Sequence, residues 1–113
     1  MAKKADILQG TLDLMVLKAL DAMGPMHGYG IARRIEQVSE DMLRMNQGTI
    51  YVCLTRLLHK GWITATWGTS DNNRRAKFYA ISKSGRRQLA AETKDWQMIS
   101  GLIGRLLQLG SDV

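Results

Sequence analysis

Hydrophobic positions in the N-terminal third of the chain recur every three or four residues, which predicts two amphipathic helices. The first is expected over about residues 11–23, with Thr11 as its N-cap and Asp13 in its first turn, where the helix dipole favours an acid. A Gly-Pro pair ends it, and the second helix is expected over about residues 29–39. Their inner faces consist of Leu12, Met15, Val16, Ala19 and Leu20, and of Ile31, Ile35 and Val38.

The stretch MNQGTIYVCLTRLLHKGWI, residues 45–63, predicts a third helix followed at once by a strand. Asn46 is its expected N-cap, and Gly61 lies where a residue in the left-handed conformation ends a helix. At about 100° per residue, one face is apolar and the other is polar and narrow. The inner residues are Ile50, Leu54, Leu57 and Leu58, with Tyr51 and Cys53 at the edges, and the outward residues are Thr49, Val52, Thr55, Arg56 and His59.

The segment after the third helix predicts a β-hairpin. Residues 62–67 alternate between two faces as a strand does, residues 70–73 have the composition of a turn, and residues 77–81 (KFYAI) form the second strand. Trp62 and Trp67 are expected to be packing residues of this hairpin.

Ser82 is expected to cap a last helix over about residues 83–109, longer than the other three. Five apolar residues on it are spaced by seven, three, four and three positions, a heptad-like pattern typical of a helix that packs along another helix. They are Leu89, Trp96, Ile99, Ile103 and Leu106.

Three helices followed by a hairpin is the order of elements in a winged helix-turn-helix. We therefore expect a mostly α fold with a two-stranded β-wing, of the α+β class, plus a long C-terminal helix. Residues 1–82 would form the DNA-binding domain and residues 83–113 the dimerisation helix. The narrow outer face of the third helix suits a major groove about 12 Å wide, and Gly61 lets the chain turn so that the wing lies beside the same duplex.

The charge supports a polyanionic partner. The chain has 16 Lys and Arg against 10 Asp and Glu, a net charge of +6, which favours nucleic acid or an anionic membrane surface. No apolar run approaches the length of a membrane span, the N-terminus lacks the apolar stretch of a signal peptide, and a single cysteine excludes an internal disulfide. The apolar end of the last helix, residues 99–109, has only one cation, Arg105, which makes it a poor fit to an anionic membrane surface. We therefore expect a cytoplasmic protein that does not bind membranes. Six cations without an intervening acid follow the hairpin tip: Arg74, Arg75, Lys77, Lys83, Arg86 and Arg87. They either bind phosphates or form an ordinary solvated surface.

Candidate DNA contacts follow from side-chain chemistry. Arg binds guanine and Gln binds adenine through two hydrogen bonds, and Thr can contact a thymine methyl group. Tyr51 is either a phosphate donor through its hydroxyl or a rim aromatic packed on the second helix, and Arg33 either contacts the DNA backbone or is solvated. Base contacts are expected from Gln47, Thr49, Thr55 and Arg56, and phosphate or minor-groove contacts from Arg74, Arg75 and Lys77.

The sequence does not indicate an enzyme. His27 and His59 each lack a partner at metal-ligand or triad spacing, and the glycines do not form a phosphate-binding pattern. We expect neither a cofactor nor a metal. Cys53 could serve as a redox switch, but its place at the edge of an apolar face favours a packed thiol.

Three blocks of the chain resemble the signature blocks of PadR-family transcriptional regulators: HGYGIARRI at 27–35, GTIYVCLTRLLHKGWI at 48–63 and RRAKFYAISKSGRRQL at 74–89. The single helix after the wing is similar to the short subgroup of that family. The chain departs from the pattern at Val52, where the family usually has proline. Proline is favourable near the start of a helix but is not required there, so we expect the same fold without it.

The resemblance implies a homodimeric repressor that binds a palindromic operator, with the last helix docked on the partner's N-terminal surface. That surface would comprise Ile7, Leu8, Leu12 and Met15.

The resemblance also implies a small aromatic or phenolic effector that binds between the two C-terminal helices and releases DNA. Trp96, with Met15 and Ile99, would contact it, because paired indoles can enclose a flat ligand. The alternatives are that Trp96 only anchors the dimer, that the regulator has no ligand, or that it responds to redox state through Cys53.

Overall fold

The computed structural model describes the backbone of residues 4–110 and the side chains of residues 11–110. Residues 4–110 form four helices and a small antiparallel sheet, which confirms the α+β class. Within residues 4–110, none of the helices is both long enough and apolar enough to cross a membrane. The elements are α1 (Lys4–Met23), β1 (Met26–His27), α2 (Gly28–Val38), α3 (Gln47–His59), β2 (Ile63–Thr69), β3 (Arg75–Ile81) and α4 (Lys83–Leu107).

Helix α1 starts earlier than the sequence pattern predicts. It already begins at Lys4, so Thr11 lies inside the helix and is not its N-cap. Asp13 is consequently a mid-helix residue, and it is only 8% exposed. The predicted end is confirmed: Gly24 has a φ of 83°, and its N–H donates to the carbonyl of Leu20 at 3.0 Å.

The sheet has three strands in the order β1-β3-β2, so the predicted two-stranded wing is incomplete. Met26 and His27 pair with Tyr79 and Phe78 of β3. Nδ1 of His27 also accepts a hydrogen bond from the N–H of Gly30 at 3.0 Å, so His27 is the N-cap of α2. A two-residue strand is too short for alternation, which is why the pattern does not reveal it.

Helix α3 has the predicted ends. Oδ1 of Asn46 accepts from the N–H of Gly48 at 2.7 Å, and Gly61 has a φ of 76° just after the C-cap residue Lys60. The predicted inner face is buried, with Leu58 partly so.

The core lies between α1, α2, α3, the base of the sheet and the start of α4. One expected inner residue of α2, Val38, is instead 71% exposed, because it is the last residue of the helix and lies beyond the core. The core consists of Leu12, Val16, Leu17, Leu20, Ile31, Ala32, Ile35, Ile50, Cys53, Leu54, Leu57, Ile63, Tyr79, Ile81 and Leu89.

Helix α4 begins at the predicted cap, where Oγ of Ser82 accepts from the N–H of Gly85 at 3.0 Å. Its first turns pack on the core, and the remainder projects from it, which gives the molecule extents of 61 × 29 × 24 Å. Two residues expected to contact the partner subunit, Leu12 of α1 and Leu89 of the heptad-like pattern on α4, are mostly buried within this chain, at 3% and 7% exposed. Ile7 and Leu8 lie outside the residues whose side chains are described.

Candidate nucleic-acid interface

The outer face of α3 is open to solvent. Gln47, Thr49 and Thr55 are all exposed, and Val52 is 63% exposed. Gln47 is the first residue of the helix, the end that helix-turn-helix proteins point at base edges. The hydroxyl of Thr55 donates to the carbonyl of Tyr51 at 2.8 Å, which leaves its methyl group and oxygen lone pairs for outside contacts.

Tyr51 lies at the edge of this face. It is 54% exposed, and a Cβ placed on Gly28 would stand 3.8 Å from its ring. The ring therefore lies against the start of α2 while much of the side chain remains accessible. Both roles expected for Tyr51, a rim aromatic and a phosphate donor, are compatible with this position.

Arg56 does not point outward as predicted. Its guanidinium lies against α1, where Nη2 donates to Oδ1 of Asp13 and Nε donates to Oδ2 at 3.4 Å. Burial of Asp13 explains this, since a buried carboxylate requires a partner of opposite charge. The pair joins α1 directly to α3. The signal in the sequence is a single acid, Asp13, inside the otherwise apolar run LDLMVL, residues 12–17.

Cys53 belongs to the same cluster. Its Sγ donates to Oδ1 of Asp13 at 3.2 Å, and the side chain is 1% exposed. Burial, and then the hydrogen bond and negative charge of Asp13, raise the pKa of the Cys53 thiol to about 12. A buried thiol that stays protonated is a poor nucleophile, which argues against a redox switch at Cys53.

The hairpin tip has the predicted turn. The N–H of Asn73 donates to the carbonyl of Ser70 at 2.9 Å, and Asn73 adopts a φ of 59°. Arg74, which follows it, is exposed, and so are Arg75 and Lys77 on β3.

Trp67 of β2 is not a packing residue as expected. It is 58% exposed, and two cations lie over its ring: Cζ of Arg75 at 4.6 Å and Nζ of Lys77 at 5.7 Å from the centroid. Trp62, by contrast, packs against the core, with Nζ of Lys60 at 4.7 Å from its ring centroid.

Two other candidate cations are paired within the chain. Arg33 is exposed on α2, and its Nη1 lies 3.6 Å from Oε1 of Glu36. Nε of Arg86 on α4 lies 3.5 Å from Oδ1 of Asp21 on α1. Both pairs are near the surface, so they restrain these side chains only weakly.

The predicted effector residues are not together within one chain. Met15 lines a mainly apolar groove of about 630 Å³ between α1, α2 and the first half of α4, next to Leu89 and Thr93. Trp96 and Ile99 do not line this groove; they lie further along α4 and are 50% and 47% exposed.

An open third helix, preceded by α2 and followed by a basic hairpin, defines a winged helix-turn-helix protein. The chain belongs to the transcriptional regulator PadR-like family, whose family model matches residues 16–91, more than half of the chain. The resemblance found in the sequence is thus confirmed, and the protein is a transcriptional regulator of this family.

Two curated relatives are uncharacterised proteins. Uncharacterized protein X of Lysinibacillus sphaericus is 25% identical over 105 residues, which cover 93% of this chain and 95% of that protein. An uncharacterized 37.1 kDa protein in transposon TN4556 of Streptomyces fradiae is 33% identical over 90 residues, which cover 80% of this chain but only 24% of that protein.

Solved structures share the fold over nearly their whole length. A PadR-like transcriptional regulator of Bacillus cereus is 25% identical, with a TM-score of 0.78 and coverage of 91% of this chain and 97% of that one. A PadR family transcription regulator of Clostridium difficile is 26% identical, with a TM-score of 0.72 and coverage of 84% and 96%. A transcriptional regulator of Clostridium thermocellum is 23% identical, with a TM-score of 0.80 and coverage of 88% and 96%.

Proposed function

We propose that this regulator is a homodimeric repressor that binds a palindromic operator in double-stranded DNA. The observation that carries the proposal is the outer face of α3, where short polar side chains are open to solvent on a helix with defined ends. A thin helix of this kind fits the major groove, and the wing that follows Gly61 brings cations to the flanking backbone.

In this proposal Gln47, Thr49 and Thr55 contact base edges. Gln47 offers the paired donor and acceptor that recognise adenine, and the two threonines offer methyl groups and hydroxyls. Tyr51, at the edge of this face, and Arg33, exposed on α2, contact phosphates. Because its guanidinium is bound to Asp13, we assign Arg56 the task of holding α3 in place.

The wing supplies phosphate contacts. Arg74 is exposed next to the hairpin turn, and Arg75 and Lys77 are exposed on β3. Among the residues whose side chains are described, none of these three cations has a carboxylate within 4.0 Å. They therefore need not break an ion pair before they bind DNA, which lowers the cost of association.

The outer half of α4 supports a dimer. Trp96, Ile99, Ile103 and Leu106 form an apolar stripe whose members are between 47% and 54% exposed. The groove beside Met15 is apolar and lies on the same molecule, so two copies related by a twofold axis can cover both surfaces reciprocally. In this arrangement residues 1–82 bind DNA and also offer the groove, and residues 83–113 supply the helix that joins the subunits.

Binding to the DNA upstream of the regulator's own gene tests the proposal. Fluorescence anisotropy with labelled duplexes should give sequence-selective, salt-sensitive binding at submicromolar protein, with a scrambled duplex as the comparison. Gln47→Ala should weaken selective binding by about tenfold, whereas Gln97→Ala on the exposed side of α4 should leave it unchanged. Equal affinity for both duplexes would contradict the proposal.

We further propose that a small aromatic or phenolic compound binds at the dimer seam and weakens DNA binding. The observation that favours it is the half-exposed indole of Trp96 on the apolar stripe, with Ile99 beside it. Met15 of the groove joins them only if the stripe of one subunit reaches the groove of the other. The ligand then acts by binding one dimer geometry better than another.

Tryptophan fluorescence with a panel of planar aromatics tests the effector site. The wild-type protein should show saturable quenching, and Trp96→Ala should abolish it. Trp67→Phe, which removes an indole from the wing, should keep the response. Equal quenching of the Trp96→Ala protein would remove Trp96 from the site.

A further inference from the structure

One face of the hairpin continues beyond the core it covers. Directly paired residues of β2 and β3 share a face, and Ile63 pairs with Ile81 at the base of the hairpin. Two positions further along on each strand, Ala65 pairs with Tyr79, and after two more Trp67 pairs with Lys77. Tyr79 is 4% exposed, but Trp67 is 58% exposed. The face that closes the core at the base therefore presents an open indole in the outer half of the wing.

The indole holds two cations beside it. Arg75 and Lys77 both lie within 6 Å of the ring centroid, the range in which a ring face attracts a cation. Arg75 pairs with Thr69 in the register, so it reaches Trp67 diagonally, whereas Lys77 is directly opposite. Contact with the ring restricts both side chains already in the free protein. Less conformational entropy is therefore lost when they bind a ligand.

Contact with the ring does not use up the hydrogen-bonding capacity of these cations. A guanidinium that stacks on a ring keeps its N–H donors directed outward in its own plane, where a phosphate can accept two of them. Neither Arg75 nor Lys77 belongs to an ion pair among the side chains of residues 11–110.

We propose that Trp67 is a positioning residue for DNA: it holds Arg75 and Lys77 in the arrangement in which they bind backbone phosphates of the duplex. The inference rests on the proposed DNA-binding function and names a residue that neither the charge pattern nor the alternation of the hairpin identifies.

A double-mutant cycle on operator affinity tests the proposal. Trp67→Leu keeps an apolar side chain and all the charges but removes the ring face, and it should weaken binding by about five- to tenfold. Trp67→Phe keeps an aromatic ring at this position, and its affinity for the operator should stay within about twofold of the wild type. Thr66→Ala, at an exposed position on the opposite face of the same strand, should have no effect.

The cycle is completed in an Arg75→Gln/Lys77→Gln background, where Trp67→Leu should cause no further loss because the cations it positions are gone. Circular dichroism checks that each variant is folded, and Trp67→Val replaces Trp67→Leu if the latter is not. An equal loss in both backgrounds would overturn the proposal. So would unchanged affinity of Trp67→Leu when the wild type binds the operator selectively, a result that leaves the proposed function intact. Failure of the wild type itself to bind selectively would remove the proposed function as well.

Discussion

Asp13 is buried in α1 and accepts hydrogen bonds from Cys53 and Arg56 of α3. The hydrogen bond to Asp13 raises the pKa of Arg56, and this effect outweighs burial, which lowers it. At the scale of single residues, this carboxylate connects the helix that lines the groove with the helix proposed to read DNA. The orientation of α3 therefore depends on a charged pair as well as on its apolar face.

We predict that Asp13→Asn destabilises the protein by about 2 kcal/mol, because Arg56 loses its counter-charge in a partly buried site. Urea unfolding followed by circular dichroism measures this difference. Asp21→Asn is the matched control, since Asp21 pairs with Lys18 and Arg86 near the surface and should contribute less than about 0.5 kcal/mol. Equal losses for the two variants would contradict the assigned role of Asp13.

The Cys53 thiol gives a prediction about pH. Its pKa is raised from 9.0 to about 12 in the native state, so the protonated thiol favours folding. This contribution is complete below pH 9 and is lost as the pH rises from 9 towards 12, because the unfolded thiol ionises first. We expect iodoacetamide to label Cys53 slowly at pH 8.5 and rapidly once urea unfolds the chain. Fast labelling of the native protein, measured by mass spectrometry, would show that the thiol is accessible and reactive.

At the scale of elements, the junction between α3, the hairpin and α4 sets where the wing points. The N–H of Ser82 donates to the carbonyl of Trp62 at 2.9 Å, and the hydroxyls of Ser82 and Ser84 both donate to the carbonyl of Gly61, at 2.7 and 2.9 Å. Gly85 comes so close that a Cβ there would lie 2.0 Å from the carbonyl oxygen of Trp62. The start of α4 is thus locked onto the turn that ends α3.

We predict that Gly85→Ala destabilises the fold by about 3 kcal/mol, because the added methyl meets backbone that cannot move without breaking this junction. Thermal unfolding measures the effect. Gly101→Ala on the same helix is the control: its Cβ would meet nothing within 4 Å, so it should be neutral or stabilising by up to about 1 kcal/mol. If both variants unfold at the same temperature, the close approach at Gly85 is not important for stability.

At the scale of the whole molecule, α4 has two parts with different surroundings. Leu89 packs into the core, whereas Trp96 and the residues after it carry the same stripe into solvent. An apolar stripe exposed to solvent lowers the solubility of a small protein, and we therefore propose that a second copy covers it.

We predict that Ile103→Glu raises the dimer dissociation constant by about a hundredfold, because two charges per dimer would be buried in the seam. Light scattering after size exclusion measures the mass over a range of concentrations. Arg105→Glu adds the same side chain on the opposite side of the helix and should leave the mass unchanged. A monomeric wild-type protein would contradict the proposed dimer and its twofold operator.

Local signals determined much of the architecture from the sequence alone. Asn46 and Ser82 cap helices where their side chains predict it, and Gly24 and Gly61 end helices because they tolerate a positive φ. Helical periodicity also identified the exposed residues of α3 apart from Arg56, since one buried face leaves the opposite face open.

Tertiary structure decided whatever depends on residues distant in the chain. Burial of Asp13 turned Arg56 inward, pairing with β3 made a strand of Met26 and His27, and the end of the core left Trp67 exposed. The end of the core also divided the apolar stripe of α4 into a buried part and an exposed part. Periodicity states which side chains share a face, but only the packing of other elements determines how far along that face a neighbour extends.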